Sequence, residues 1–125
     1  MARYTLQVNN NAELQRSSGI IIATPVGTHA WASSAGGKKL PLLSQQYQYV
    51  IREPYQGTLH QHKLLQGILT KKDKIKVKSE MGNCIVSIDA LSEDFPFKKG
   101  STLVVEIADQ PLKYVVFSDF NEKRV

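Results

Sequence analysis

Polar and apolar positions alternate over residues 3–8 (RYTLQV), the period-two signature of a strand with one buried face. Asn9, Asn10 and Asn11 then mark a turn, because asparagine tolerates left-handed backbone and bonds its own main chain. Residues 12–16 return as the second arm of a hairpin. Residues 19–23 (GIIIA) form a continuous apolar run, short enough for a buried strand. Residues 24–27 follow as a loop. Thr28 is placed to cap a short helix over roughly 29–35, which Gly36 and Gly37 end and Pro41 closes off. Residues 47–52 (YQYVIR) read as the next strand, and 53–57 as a turn.

The second half is richer in strands. The pattern predicts them at 67–70, 74–79, 84–89, 102–108 and 112–117, while 59–65 fits neither template. Gly and Pro signals at 81–83, 98–100 and 109–111 separate them. Short strands at this spacing predict a mainly β fold: a β-sandwich of short antiparallel strands, with one short helix after the Thr-Pro-x-Gly loop. No repeat, linker or low-complexity tract divides the chain, so 1–125 reads as a single domain. The polar tail, 121–125, is expected to fray.

Composition narrows the class. With 125 residues, 42% of them hydrophobic, the chain can bury an ordinary core. Its one cysteine, Cys84, rules out an internal disulfide, reads as a small buried strand residue and points to the cytoplasm. No apolar run reaches the ~20 residues that span a bilayer, and no signal peptide is legible, so no membrane partner is expected. A net charge of +5 favours anionic partners. Lys74, Lys76 and Lys78 alternate with Ile75 and Val77, giving one basic face that either meets solvent or faces phosphate. Aromatics are not interleaved with these lysines, so nucleic acid is not implied.

Candidate chemistry centres on residues 19–37 (GIIIATPVGTHAWASSAGG), where the chain's one tryptophan lies in a run of Ala, Ser and Gly. Small side chains let a flat ligand approach the backbone. Helix N–H groups favour an anion, and Trp31 offers a stacking face. The alternative is a tight helix–sheet contact with Trp31 in the core. His29 either bonds a ribose or phosphate or simply starts the helix. His60 and His62 would share a face if their segment were a strand, but they lack further metal ligands, so they read as surface histidines and no metal site is expected. Asp89 either caps a turn or contacts a ligand or metal. No nucleophile–base–orienter triad is legible, and the loop matches neither G-x-G-x-x-G nor the P-loop.

The stretch SSGIIIATPVGTHAWASSAGG resembles the signature of NAD kinases, approximately DG-L-I-x-[ST]-T-P-T-G-S-T-A-Y-x-x-S-A-G-G. Downstream, NCIVSIDAL and FPFKKGSTLVVEIADQPLKYVVF are similar to later parts of that family's C-terminal domain. The resemblance implies a β-sandwich that binds much of the NAD. A separate N-terminal α/β domain carries a Gly-Gly-Asp-Gly motif and the catalytic aspartate, and binds ATP with Mg²⁺. Together the two domains move the ATP γ-phosphate to the 2′-hydroxyl of the adenosine ribose, making NADP. This chain would be the substrate-binding half, without catalytic residues, inactive alone and needing no cofactor of its own. Its partners would be NAD or a related small molecule, the N-terminal domain of its parent protein, and copies of itself in a homo-oligomer.

Carried over residue by residue, the resemblance implies that Thr24 and Gly27 shape the loop. Thr28 belongs to the same stretch. His29 stands for a ligand-touching Thr, Ala30 makes a backbone contact, Trp31 replaces a Tyr that packs on a ligand ring, and Ser34 reaches the ligand. Ser18-Gly19 stands where the family has Asp-Gly, and His29 with Trp31 makes a bulkier pocket. The alternatives are a kinase for another hydroxylated substrate, lipid or sugar, and a non-catalytic binding or oligomerisation module.

Overall fold

The computed structural model describes residues 1–55, 62–88 and 94–109. Strands β1 (Ala2–Val8) and β2 (Asn11–Ser17) form a hairpin whose register, from Ala2 against Ser17 to Val8 against Asn11, leaves Asn9 and Asn10 as the turn. Asn9 takes φ 55°, which asparagine accepts at small cost. Its side chain ties this turn to a second one. Nδ2 donates to Asp73 Oδ1 at 2.9 Å, and Oδ1 accepts the Lys74 N–H at 3.2 Å.

Strand β3 (Gly19–Ala23) pairs with β4 (Gln46–Arg52), and β4 with β5 (Gln66–Thr70). Strand β6 (Ile75–Ser79) joins β1 to β9 (Thr102–Val105), completing a four-stranded sheet β2-β1-β6-β9 against the three-stranded β3-β4-β5. Strands β7 (Cys84–Val86) and β8 (Phe95–Phe97) pair separately.

The period-two pattern explains the core. Tyr4, Leu6, Val8, Ile75 and Val77 of the first sheet meet Tyr47, Tyr49, Ile51 and Leu69 of the second. The layers therefore form the antiparallel sandwich that the pattern predicts. Lys76 and Lys78 point outward from β6, and Lys78 and Lys74 lie near Glu80 and Glu106.

Differences from expectation have local causes. The GIIIA run is an edge strand, with Ile20, Ile21 and Ile22 only half-buried; the strand buried on both faces is β4. The sequence pattern carries no signal for strand β8, which spans three residues and holds Pro96, a residue type confined to sheet edges. Strands β7 and β9 end earlier than expected, at Val86 and Val105. Cys84 is half-buried at the start of β7. The strand expected at 112–117, the tail, His60 and Asp89 lie outside the described residues. His62 is not a surface residue. Its side chain is 8% exposed, and Nδ1 lies 3.6 Å from Glu13 Oε1.

Candidate functional site

Tyr47, Tyr49 and Ile51 face the sandwich core, so Gln48 and Val50 point to the other side of β4. They are buried there beneath the segment that follows β3. That segment begins with a 3₁₀ turn (Gly27–His29), breaks at Ala30, and continues as the helix α1 (Trp31–Ser34).

Thr28 does not cap the helix. It is fully buried, and its hydroxyl donates to the Pro25 carbonyl at 2.6 Å while accepting the Leu40 N–H at 2.9 Å. His29 Nε2 bonds the Leu40 carbonyl at 3.0 Å. Since a carbonyl only accepts, Nε2 carries the proton. Its Nδ1 is buried without a hydrogen-bond partner. Thr28 and His29 thus hold both backbone groups of Leu40, itself buried, and close the segment into a compact loop.

The double glycine has a physical reason at each position. Gly36 takes φ 97°, which ends the helix in a conformation that side chains disfavour. Gly37 lies so close to β4 that a Cβ would meet Gln48 Oε1, the Ala32 carbonyl oxygen and Val50 Cγ2. Gly27 is also close-packed, against Ala23 Cβ. Thr24 is exposed, and its carbonyl accepts the Thr28 N–H at 3.0 Å.

This arrangement turns Trp31 outward. The indole is 60% exposed, so it is not a core residue. It sits on a cleft of about 320 Å³ lined by Trp31, Ser34, Ala35, Arg52 and Glu53. Ser34 lies three residues on from Trp31, one helical turn, so the two share a face. The helix has four residues, too few for aligned peptide dipoles to build a sizeable field at its start. Stacking and hydrogen bonding, rather than an anion-binding helix terminus, are what this surface offers.

Of the sequence candidates, the structure brings Trp31 and Ser34 together in the cleft. Thr24, Gly27, Thr28 and His29 build the loop behind it, and Ala30 lies exposed at its start. Sequence reasoning missed Arg52 and Glu53. The Arg52 guanidinium lies over the Trp31 ring, 4.5 Å from its centroid, a cation–π contact worth about 0.5–1 kcal/mol at an exposed site. Its signal was the position of Arg52 at the end of a strand, but only the pairing of Arg52 with Gly19 places it beside the loop. Among the described residues no three His, Cys, Asp or Glu side chains gather to hold a metal ion.

The ATP-NAD kinase C-terminal domain family matches residues 1–117. A probable NADH kinase of Oryza sativa subsp. japonica is 33% identical over 104 residues, covering 83% of this chain and 32% of that protein. An NAD kinase of Methanoculleus marisnigri is 31% identical over 116 residues, covering 92% of this chain and 41% of that protein. The chain therefore spans about a third to two-fifths of these relatives. In fold it is similar to an NAD kinase from Archaeoglobus fulgidus solved with ATP (TM-score 0.67, 22% identity, covering 86% of this chain and 40% of that one). Yeast NADH kinase solved with NADH gives a TM-score of 0.64 at 18% identity, covering 86% of this chain and 30% of that one.

Proposed function

This chain belongs to the ATP-NAD kinase C-terminal domain family, and from that premise we propose that it is the dinucleotide-binding part of an enzyme that phosphorylates NAD or NADH. In that reaction the ribose 2′-oxygen attacks the γ-phosphorus of ATP. The bond from that phosphorus to the β–γ bridging oxygen breaks, ADP leaves, and the hydroxyl proton passes to a base. Phosphoryl transfer depends chiefly on positioning and charge stabilisation. This chain supplies positioning. Trp31 stacks on a ring of the dinucleotide, Ser34 bonds its polar frame, and Ala30 presents backbone. Thr24, Gly27, Thr28 and His29 hold the loop that aims them. The chain covers only part of its relatives' length, and we assign Mg²⁺-ATP and the base to a part of the parent protein outside this chain.

The observation that carries this reading is the exposed Trp31 beside Ser34, on the loop that bears the family signature. Trp31 is the only tryptophan, so its fluorescence reports on this loop alone. Titration with NAD should quench it saturably with Kd near ~1 mM, as expected of a half-site. Adenosine or nicotinamide mononucleotide should bind more weakly than NAD. Quenching that only tracks absorbance, matching free tryptophan, would remove the dinucleotide reading and favour a non-catalytic module or another substrate.

A further inference from the structure

Arg52 stands on the ring that the dinucleotide reading assigns to the ligand. At 4.5 Å from the Trp31 centroid the guanidinium leaves no room for a second flat group between them. Its head is lightly held. Nη2 lies 3.8 Å from Glu53 Oε1, and the two side chains are 31% and 75% exposed, a geometry in which an ion pair contributes little. Its backbone, by contrast, is fixed. Arg52 pairs with Gly19 across the β3–β4 ladder, and its carbonyl accepts the Ser18 N–H at 2.9 Å. A rigid stem with a loosely held cationic head can exchange one partner for another without disturbing the fold.

We propose that Arg52 is a specificity-determining residue of this cleft: a displaceable cover on Trp31 that an incoming nucleobase replaces, after which the guanidinium pairs with the ligand's phosphate. This rests on the dinucleotide reading for the nature of the ligand. An unphosphorylated nucleoside that stacks on the face Arg52 covers must break the Arg52–Trp31 contact and offers the cation nothing in return. A nucleotide offers its phosphate, which the planar guanidinium grips through paired N–H donors. Glu53 lines the same cleft, so without Arg52 the cleft would confront a phosphate with a bare carboxylate. The residue therefore disfavours nucleosides and favours nucleotides.

The test uses the 125-residue chain with adenosine and adenosine 5′-monophosphate as probes, read by Trp31 fluorescence and checked by calorimetry. The wild type should prefer the monophosphate, and added salt should weaken that preference while leaving adenosine binding unchanged. Arg52→Ala should bind adenosine about threefold more tightly, the size of the lost cation–π contact, and the monophosphate about tenfold more weakly. Arg52→Lys should recover most of the monophosphate affinity. Equal affinity of the wild type for both probes, or equal changes for both in Arg52→Ala, overturns the proposal and leaves the dinucleotide reading standing. Failure of the wild type to bind either probe or NAD removes that reading, and the proposal with it. Melting curves show whether each variant is folded, and the wild-type salt series decides the matter if the alanine variant is not.

Discussion

A methyl group at Gly37 would lie 2.8 Å from the Ala32 carbonyl oxygen and 2.9 Å from Val50 Cγ2, and closer still to the Gln48 amide oxygen. The first and last of these neighbours cannot yield easily, because one is backbone and the other belongs to a side chain 1% exposed. Gln48 Oε1 has no conventional hydrogen-bond partner and faces the Gly37 Cα–H, a weak polar contact. At Gly36, a Cβ would meet nothing, and the φ of 97° alone resists substitution. The neighbours should therefore respond differently. Gly37→Ala should lose about 1–3 kcal/mol by overpacking, and Gly36→Ala about 1 kcal/mol by backbone strain. Because the Gly37 segment covers β4, its variant should also change Trp31 emission more. Equal melting temperatures for the two variants would sink this account. The sequence shows that two glycines are needed here. It does not show that one serves conformation and the other space, since the space is defined by β4, more than ten residues away.

The short stretch after residue 61, which packs on β2, depends on an ionised side chain. Glu13 accepts the Lys63 N–H with both oxygens at 3.1 Å, the Leu64 N–H at 3.2 Å, and Gln15 Nε2 at 2.7 Å. Burial pushes its pKa up, but those donors and the nearby His62 outweigh burial and hold it below the ordinary 4.5. A carboxylate with a depressed folded pKa stabilises the fold above its unfolded pKa, and that stability is lost as pH falls from 4.5 through the folded value. Glu13→Gln keeps a carbonyl acceptor but cannot titrate. It should be less stable than wild type near neutrality, and the difference should shrink as pH falls below ~4.5 in urea unfolding curves. Parallel curves at every pH would refute the assignment. Asp73 is also held below its ordinary value, by the Thr70 N–H, Asn9 and the Thr70 hydroxyl, so an acid limb should remain in the variant. At the alkaline end, burial raises Tyr4 to about 12, with its hydroxyl shared between Gln15 and Ser17. Its stabilisation is complete below pH ~10 and lost as pH climbs through the folded value. Hairpin and strand existence at this scale was legible from alternation. The Glu13 clamp was not, because its backbone donors lie about fifty residues away.

At the scale of the whole molecule, the two sheets present the loop on the outer face of β4, and the chain matches only part of its relatives' length. On the proposed reading, the other side of the catalytic cleft comes from outside this chain. The 125-residue protein should then form no NADP from ATP and NAD in a coupled dehydrogenase assay, even at millimolar NAD. If the missing part supplies ~4 kcal/mol, the isolated chain binds about a thousandfold more weakly than the full enzyme. The parent protein carrying its N-terminal domain should be active. NADP formation by the chain alone would show that it holds its own ATP site and catalytic base.

Alternation and turn residues determined the antiparallel sandwich, because a period of two fits one buried face per strand. The Thr-Pro-x-Gly loop with Ser34 and the double glycine carried the resemblance to the family whose model the chain matches. The fate of individual side chains belonged to the tertiary structure. Thr28 reads locally as a helix cap, yet its partner is Leu40; Trp31 reads as core or as a stacking surface among its small neighbours, yet the loop turns it outward. Arg52 reaches that ring only through the β3–β4 register. Local pattern reports which face a residue presents. What that face meets is set by strand pairing across distances in sequence that no local pattern spans.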